Sequence, residues 1–158
     1  MNRALAAIVS VTSVAVAGIV GGSYGPQQPR AAVWYASLRK PPFTPPGPVI
    51  GVTWGVLEML LCFTGYRLMT KPAGNDQPIA LVGWVATLGC LAGYPATFFG
   101  KRKLVPSAAV ATAMLVSTSA TAAASVHTDR SAALAMTPLV VWTSFAVLLS
   151  EELWRRNH

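Results

Sequence analysis

Charged side chains are scarce in this sequence, and acidic ones most of all. Only 11% of the 158 residues are charged, with five Asp and Glu against twelve Lys and Arg, whereas a typical soluble domain is about 25% charged. The 53% hydrophobic content also excludes intrinsic disorder, which needs low hydrophobicity. Two cysteines are too few for a small protein held together by a disulfide framework. What remains is a small integral membrane protein of one domain.

Long uncharged stretches show where the chain crosses the membrane. A spanning helix needs about 20 mostly apolar residues, and transmembrane strands are excluded because the stretches lack an alternation of lipid-facing and lumen-facing residues. The sequence therefore predicts an all-α, polytopic membrane protein, a single domain over residues 1–158 built as a bundle of five transmembrane helices. The predicted spans cover residues 4–24, 47–69, 78–99, 104–126 and 132–154.

The first apolar stretch has a second interpretation. Arg3, the apolar run after it and the tripeptide Ala15-Val16-Ala17 resemble a secretory signal with a small-residue cleavage site. The uncharged run over residues 4–29 is longer than the apolar core of a signal peptide, which has about 7–15 residues. Its length favours a membrane span that stays in the protein.

Basic residues are unevenly divided between the two ends of the predicted helices. Five spans place the termini on opposite sides of the membrane, and the N-terminal side holds only Arg3, Arg67, Lys71 and Arg130. Because Lys and Arg collect in cytosolic loops, the C-terminus and residues 25–46 are expected in the cytosol. The basic residues are interpreted as setting this orientation, and the expected partners are membrane lipids and not nucleic acid. The first span begins by residue 4 without a clear targeting extension, which favours a bacterial envelope over the mitochondrial outer membrane.

The segment between the first two spans, residues 25–46 or loop 1, is rich in proline and aromatic residues. Its six prolines fix φ and remove backbone donors, so loop 1 cannot be one continuous helix. Trp34, Tyr35 and Phe43 lie between them, unlike the polar residues of a flexible linker. We interpret loop 1 as a stiff, amphipathic cover on the helix ends, which either lines a site or only packs there.

Signatures of soluble catalysis are absent from the sequence. It has no Walker A motif, no G-x-S-x-G, no H-E-x-x-H and no C-x-x-C. His127 and His158 have no partner at the spacing of metal ligands, so no metal site is expected. Cys62 and Cys90 lie inside predicted spans and are interpreted as small buried apolar residues.

The most specific signal is the loop 1 motif W-Y-A-S-L-R-K-P-P-F-T-P-P over residues 34–46. It resembles the pattern W-Y-x-x-L-x-K-P-x-W-x-P-P of the translocator protein family, also called TspO/MBR or tryptophan-rich sensory proteins. Seven of the eight fixed positions match, and Phe43 stands where the pattern has Trp. The resulting lid candidates are Trp34, Tyr35, Leu38, Lys40, Pro41, Phe43, Pro45 and Pro46.

Further motifs of that family occur in three later spans. Trp54 stands at the Trp of the second helix, and Y-P-A-T-F-F-G at residues 94–100 resembles the third-helix pattern W-P-x-x-F-F-G. The last helix resembles P-Y-x-x-W-x-x-F-A-x-x-L-N through Pro138, Trp142, Phe145, Ala146 and Leu149. Together the motifs span about residues 30–157 and are a strong signal, although each alone is weak.

The resemblance implies a function as well as a five-helix bundle. Members of the family bind porphyrins, sterols and benzodiazepine-type ligands in a pocket beneath loop 1, with a transport or sensory role. The expected ligand is a porphyrin, such as protoporphyrin IX or haem, and no cofactor is required. The alternative is a light-dependent porphyrin-degrading enzyme, with Trp54 and Trp142 as the catalytic candidates. The expected ligand-binding residues are Ile50, Trp54, Glu58, Tyr94, Phe98, Trp142, Phe145, Ala146 and Leu149.

Helical spacing places several of these residues on common faces. Ile50, Trp54 and Glu58 recur at four-residue intervals, and the last-helix residues share a face in the same way. Two aromatic faces beside the small Ala146 suit a flat conjugated ring, because aromatic rings stack. Such periodicity alone more often indicates ordinary packing, and the resemblance reverses that preference.

Glu58 lies near the middle of the second predicted span, where a carboxyl group is costly and usually faces the bundle or a wet cavity. Two interpretations stay open. It is either a pocket carboxyl that contacts a polar ligand edge or passes a proton, or a protonated, hydrogen-bonded structural residue.

The chain departs from the family pattern at several positions. Tyr94 replaces the third-helix Trp, Ala96 a proline of vertebrate members, and Ser150 the Asn after the last-helix Leu. Glu151 stands where the proposed sterol motif of animal members has its central Tyr. Such sterol motifs are weak patterns even when intact, so a porphyrin is favoured over a sterol.

Small residues predict close contacts between helices. Ala, Ser and Thr make up 15 of the 19 residues over 107–125, which indicates tight packing inside the bundle. Gly89 and Gly93 have G-x-x-x-G spacing and are candidates either for a homodimer seam, as in bacterial relatives, or for packing within one bundle.

Overall fold

The computed structural model describes residues 1–72 and 74–158. No strand occurs in either range, and five helices are long and apolar enough to cross a membrane. The predicted all-α class with five spanning helices is therefore confirmed. The helices are α1 (Arg3–Gly22), α2 (Pro29–Ser37), α3 (Gly47–Thr70), α4 (Gln77–Pro95), α5 (Leu104–Thr128) and α6 (Arg130–Arg156), and a π-helical turn (Ala96–Gly100) continues α4.

Capping residues and prolines set the ends of the helices. The Asn2 side chain accepts a hydrogen bond from the Ala4 N–H at 2.9 Å and caps α1. Proline stands in the first turn of α2, α3 and α4, where its missing N–H costs nothing. The short helix α2 inside loop 1 was not predicted from the sequence. It forms because Pro29 begins it and the next proline, Pro41, lies beyond its end.

The five spanning helices form a closed ring. Helix α1 contacts α3 and α4, α3 contacts α6, and α5 lies between α4 and α6. Large apolar side chains from α3, α4 and α6 fill the centre, among them Leu61, Leu88 and Leu139. Helices that are distant in sequence, such as α3 and α6, are therefore direct neighbours.

The Ala-, Ser- and Thr-rich helix α5 forms the most extensive helix interfaces, with α4 and α6. Its buried hydroxyl groups bond across both interfaces, Ser117 to Thr87 at 3.0 Å and Thr118 to Thr143 at 3.2 Å. The predicted tight packing through small residues is confirmed.

The two glycines of the predicted seam have different surroundings. A methyl group added at Gly89 would meet nothing within 4 Å, whereas one at Gly93 would lie 3.8 Å from Val110 of α5. Gly89 therefore faces the outside of the bundle and Gly93 the α4–α5 interface. The homodimer stays a prediction.

Candidate functional site

Four aromatic residues meet between α3, α6 and loop 1, and we name them the tryptophan cluster. Trp54 of α3 and Trp142 of α6 pack edge to face, with ring centroids 6.4 Å apart and planes at 89°. Phe145 lies 5.3 Å from Trp142, and Phe43 of loop 1 lies 6.3 Å from Phe145. The ring order of the helices thus joins residues that are about 90 positions apart in the sequence.

Three further candidates lie one or two turns from the tryptophans on the same two helices. Ile50 lies one turn before Trp54 on α3, whereas Ala146 and Leu149 follow Trp142 by one and two turns on α6. All three are half-buried. Their spacing is that of residues on the same side of a helix, and their role toward a ligand stays a prediction.

A second group, the lid cluster, joins loop 1 to the end of α4. Trp34 and Tyr35 of α2 pack edge to face on Phe98, at centroid distances of 5.1 and 6.1 Å. Tyr94 stacks on Phe98 at 5.5 Å, and Tyr35 also reaches Phe99 at 5.7 Å. Phe98 is only 3% exposed, and α2 packs on it through both aromatic residues.

The π-helical turn explains how two consecutive phenylalanines both reach loop 1. Pro95 has no N–H to donate to the preceding turn, and the Lys101 N–H bonds five residues back to the Ala96 carbonyl at 2.9 Å. The wider turn presents Phe98 and Phe99 at 87° to each other with centroids 4.8 Å apart. Single π turns of this kind are frequent at functional sites.

The rest of loop 1 is fastened to the end of α6. The Asn157 side chain accepts a hydrogen bond from the Arg39 N–H at 2.9 Å and donates one to the Arg39 carbonyl at 3.1 Å. The Lys40 ammonium lies 4.4 Å from the centroid of the Tyr35 ring, and Pro41 is buried. Among the other lid candidates, Leu38 and Pro45 are half-buried and Pro46 is exposed.

Similarity to known proteins extends over nearly the whole chain. Residues 9–155 match the TspO/MBR family. This chain belongs to the TspO/MBR family. The resemblance in the loop 1, third-helix and last-helix motifs is thereby confirmed, and the TspO/MBR match extends over all five spanning helices. The chain is an integral, multi-pass membrane protein.

Individual TspO/MBR relatives cover most of the chain. Protein CrtK of Rhodobacter capsulatus is 27% identical over 158 residues, which are 99% of this chain and 95% of that protein. The human translocator protein is 34% identical over 130 residues, 79% of this chain and 75% of its own length. The tryptophan-rich sensory protein of Cereibacter sphaeroides is 28% identical over 124 residues, 78% of this chain and 77% of its own length.

Two departures from the TspO/MBR pattern contact each other. The Tyr94 hydroxyl on α4 and the Ser150 hydroxyl on α6 are hydrogen-bonded at 2.9 Å, a contact that links the lid cluster to α6. The sequence showed both departures but not that they meet. The contact could have been suspected from the sequence, because each of the two spans carries a hydroxyl residue and buried hydroxyl groups need hydrogen-bond partners.

Glu58 contacts α1, although its spacing from Trp54 predicted that both residues face the same site. A methyl group added at Gly18 of α1 would lie 3.2 Å from each Glu58 carboxylate oxygen, so the carboxyl rests against α1. Trp54, one turn earlier, packs against Trp142 of α6 instead. The two residues therefore face different neighbouring helices of the TspO/MBR bundle. A role of Glu58 toward a ligand stays a prediction.

Replacing Asn157 with alanine is expected to loosen loop 1. The variant loses both hydrogen bonds to Arg39, each worth about 1 kcal/mol net, so local opening becomes at least about tenfold more frequent. Hydrogen–deuterium exchange over residues 38–44, followed by mass spectrometry in detergent, measures it. His158→Ala is the matched control, because the His158 ring packs on Trp154 of α6 and bonds to its carbonyl. Equal exchange in both variants would contradict this role of Asn157.

Proposed function

We propose that this TspO/MBR protein binds a tetrapyrrole, such as protoporphyrin IX or haem, between α3 and α6 beneath loop 1. The carrying observation is the contact of Trp54 with Trp142, to which Phe145 joins Phe43 of loop 1. Because the two indoles meet at right angles, a flat conjugated ring that enters between them stacks on one and meets the edge of the other. Relatives named translocator protein and sensory protein support a role in moving or sensing that ligand.

The mobile part of the site is expected to be the Phe43 side of loop 1. Phe43 is 48% exposed and packs on Phe145 at the edge of the tryptophan cluster, whereas α2 and Arg39 are held by the lid cluster and by Asn157. A ligand therefore enters by displacing Phe43 while the rest of loop 1 stays in place. The Tyr94–Ser150 bond ties α4 to α6.

A planar tetrapyrrole suits these residues better than a sterol. The tryptophan cluster offers the face of one indole, the edge of the other and the Phe145 ring, and aromatic faces gain most from a conjugated ring. Glu151 occupies the position of the sterol-motif Tyr and is exposed, so the sterol pattern has lost its central aromatic residue. Cholesterol is therefore expected to compete poorly with protoporphyrin IX.

The test is a titration of the purified protein in detergent with protoporphyrin IX, followed by tryptophan fluorescence and by the Soret band. Trp54→Leu and Trp142→Leu are each expected to weaken binding about tenfold, since lost stacking and burial cost about 1.4 kcal/mol. Trp154→Leu is the matched control, because Trp154 is exposed near the end of α6 and contacts His158. Unchanged affinity in both pocket variants, or an equal loss in the control, would refute the proposed site.

Illumination of the same samples tests the enzymatic alternative. The direct contact of Trp54 with Trp142 favours it, because both indoles then border one ligand. Loss of the Soret band with a distinct product in the presence of dioxygen, abolished by Trp54→Phe and Trp142→Phe, supports a porphyrin-degrading enzyme. Stable quenching without a product supports a binding protein.

A further inference from the structure

Two adjoining cavities, both open to solvent, lie at the end of the bundle opposite loop 1. The first measures about 350 Å³ and is lined from α3, α5 and α6, with Arg67, Lys71, His127 and Arg130 in its wall. The second measures about 280 Å³ and adds Arg3 of α1. Because Arg67 and Lys71 line both, the two cavities form one basic site, which we name the basic cavity.

The basic cavity collects all four basic residues of this side of the predicted bundle. Arg3, Arg67, Lys71 and Arg130 come from three helices and from a helix end, and they are up to 127 positions apart in the sequence. Among its described lining residues, Asp129 is the one acid. Four positive charges against one negative leave a net charge of +3, which favours an anion.

Asp129 holds two of these cations in place. Its Oδ2 atom accepts hydrogen bonds from Arg67 Nε at 3.1 Å and Nη2 at 2.7 Å, and the Lys71 ammonium lies 3.0 Å away. The Asp129 side chain is 2% exposed, whereas those of Arg67 and Lys71 are 32% and 38% exposed. The buried carboxylate therefore orients two cations whose outer sides remain open to a ligand, and such preorganisation lowers the cost of binding.

We propose that the basic cavity binds a phosphate group, carried either by the headgroup of an anionic lipid or by a soluble phosphate ester. Guanidinium groups match phosphate oxygens through paired N–H donors, and three of the four cations are arginines. The site lies at the ends of the spanning helices and is open to solvent, so a lipid headgroup and a soluble phosphate ester can both reach it. Its charged walls differ from the mostly apolar pockets that hold flat organic ligands, so it is separate from the tryptophan cluster.

The experiment compares three probes on the full chain in a neutral detergent, with dissociation constants from thermal shift and native mass spectrometry. The probes are dioleoyl phosphatidic acid, glycerol 3-phosphate and zwitterionic dioleoyl phosphatidylcholine. The test variant is Arg3→Gln with Arg130→Gln, because neither residue bonds Asp129 and the Arg67 pair stays intact. The matched control is Lys101→Gln with Lys103→Gln, which removes two charges from the opposite end of the bundle.

Phosphatidic acid is expected to bind tighter than phosphatidylcholine and to lose at least about tenfold in affinity in the test variant, against less than about twofold in the control. If glycerol 3-phosphate shows the same loss, the ligand is a soluble ester; if only the lipid binds, it is a headgroup. Both results support the proposal. Equal losses in the two double variants, or no preference over phosphatidylcholine, would overturn it. Melting without ligand checks that each variant is folded.

Discussion

Replacing Asp129 with alanine is expected to lower the free energy of unfolding by about 2–4 kcal/mol. The carboxylate caps α6 by accepting the Ala132 N–H at 2.9 Å, and loss of such a cap costs about 1 kcal/mol. It also pairs with Arg67 and Lys71. Removing the buried carboxylate leaves two partly exposed cations side by side without their counterion, which costs further stability.

Thermal unfolding in a mild detergent measures this loss. Asp76→Ala is the matched control, since Asp76 also precedes a spanning helix, α4, but its side chain makes no capping hydrogen bond. The control is expected to change stability by less than about 0.5 kcal/mol. Equal melting of the two variants would show that the Asp129 contacts contribute little.

The same carboxylate predicts how stability depends on pH. Burial acts to raise the pKa of Asp129, but hydrogen bonds from Arg67, the Ala132 N–H and Lys71 outweigh it and lower the pKa from 3.8 to about 2. Because the folded pKa lies below the unfolded one, the stabilisation is complete above about pH 4 and is lost as the pH falls toward 2. Because Arg67 and Lys71 are partly exposed, this pH-dependent stabilisation amounts to about 1–2 kcal/mol. The melting temperature of Asp129→Ala should therefore change less between pH 4 and pH 2 than that of the unmodified protein.

Replacing Gly83 with alanine is expected to destabilise the bundle by about 2 kcal/mol. The added methyl would lie 2.5 Å from the Thr121 Oγ1 atom and 3.2 Å from the Ser117 carbonyl oxygen. Thr121 cannot turn away freely, since its hydroxyl donates to that carbonyl at 2.8 Å. Helices α4 and α5 must therefore separate, and overpacking of this kind costs about 1–3 kcal/mol.

Gly55→Ala provides the matched control for the Gly83 variant. Gly55 also lies inside a spanning helix, but a methyl group there would meet nothing within 4 Å. Alanine is a better helix former than glycine by up to about 1 kcal/mol, so the control should melt at the same temperature or higher. A Gly83→Ala variant as stable as Gly55→Ala would mean that α4 and α5 are not in close contact at this point.

Local properties of this protein were predictable from its sequence. Long uncharged runs predicted the five spans because lipid selects for apolar residues along a whole helix. The motif in residues 34–46 pointed to the TspO/MBR family, because its aromatic residues and prolines recur at the family's spacing. Helix α2 within loop 1 was not predicted, because loop 1 as a whole is rich in proline although residues 30–40 contain none.

The sequence by itself determined the membrane class, the number of spans and which aromatic residues were available for a site. Only the tertiary structure decided that Trp54 meets Trp142, that Glu58 rests on Gly18, and that four basic residues at one end of the bundle line two adjoining cavities. The physical reason is that lipid is as apolar as the bundle interior. A spanning helix therefore carries little sequence signal for which face turns inward or which helix becomes its neighbour, and packing between helices settles both.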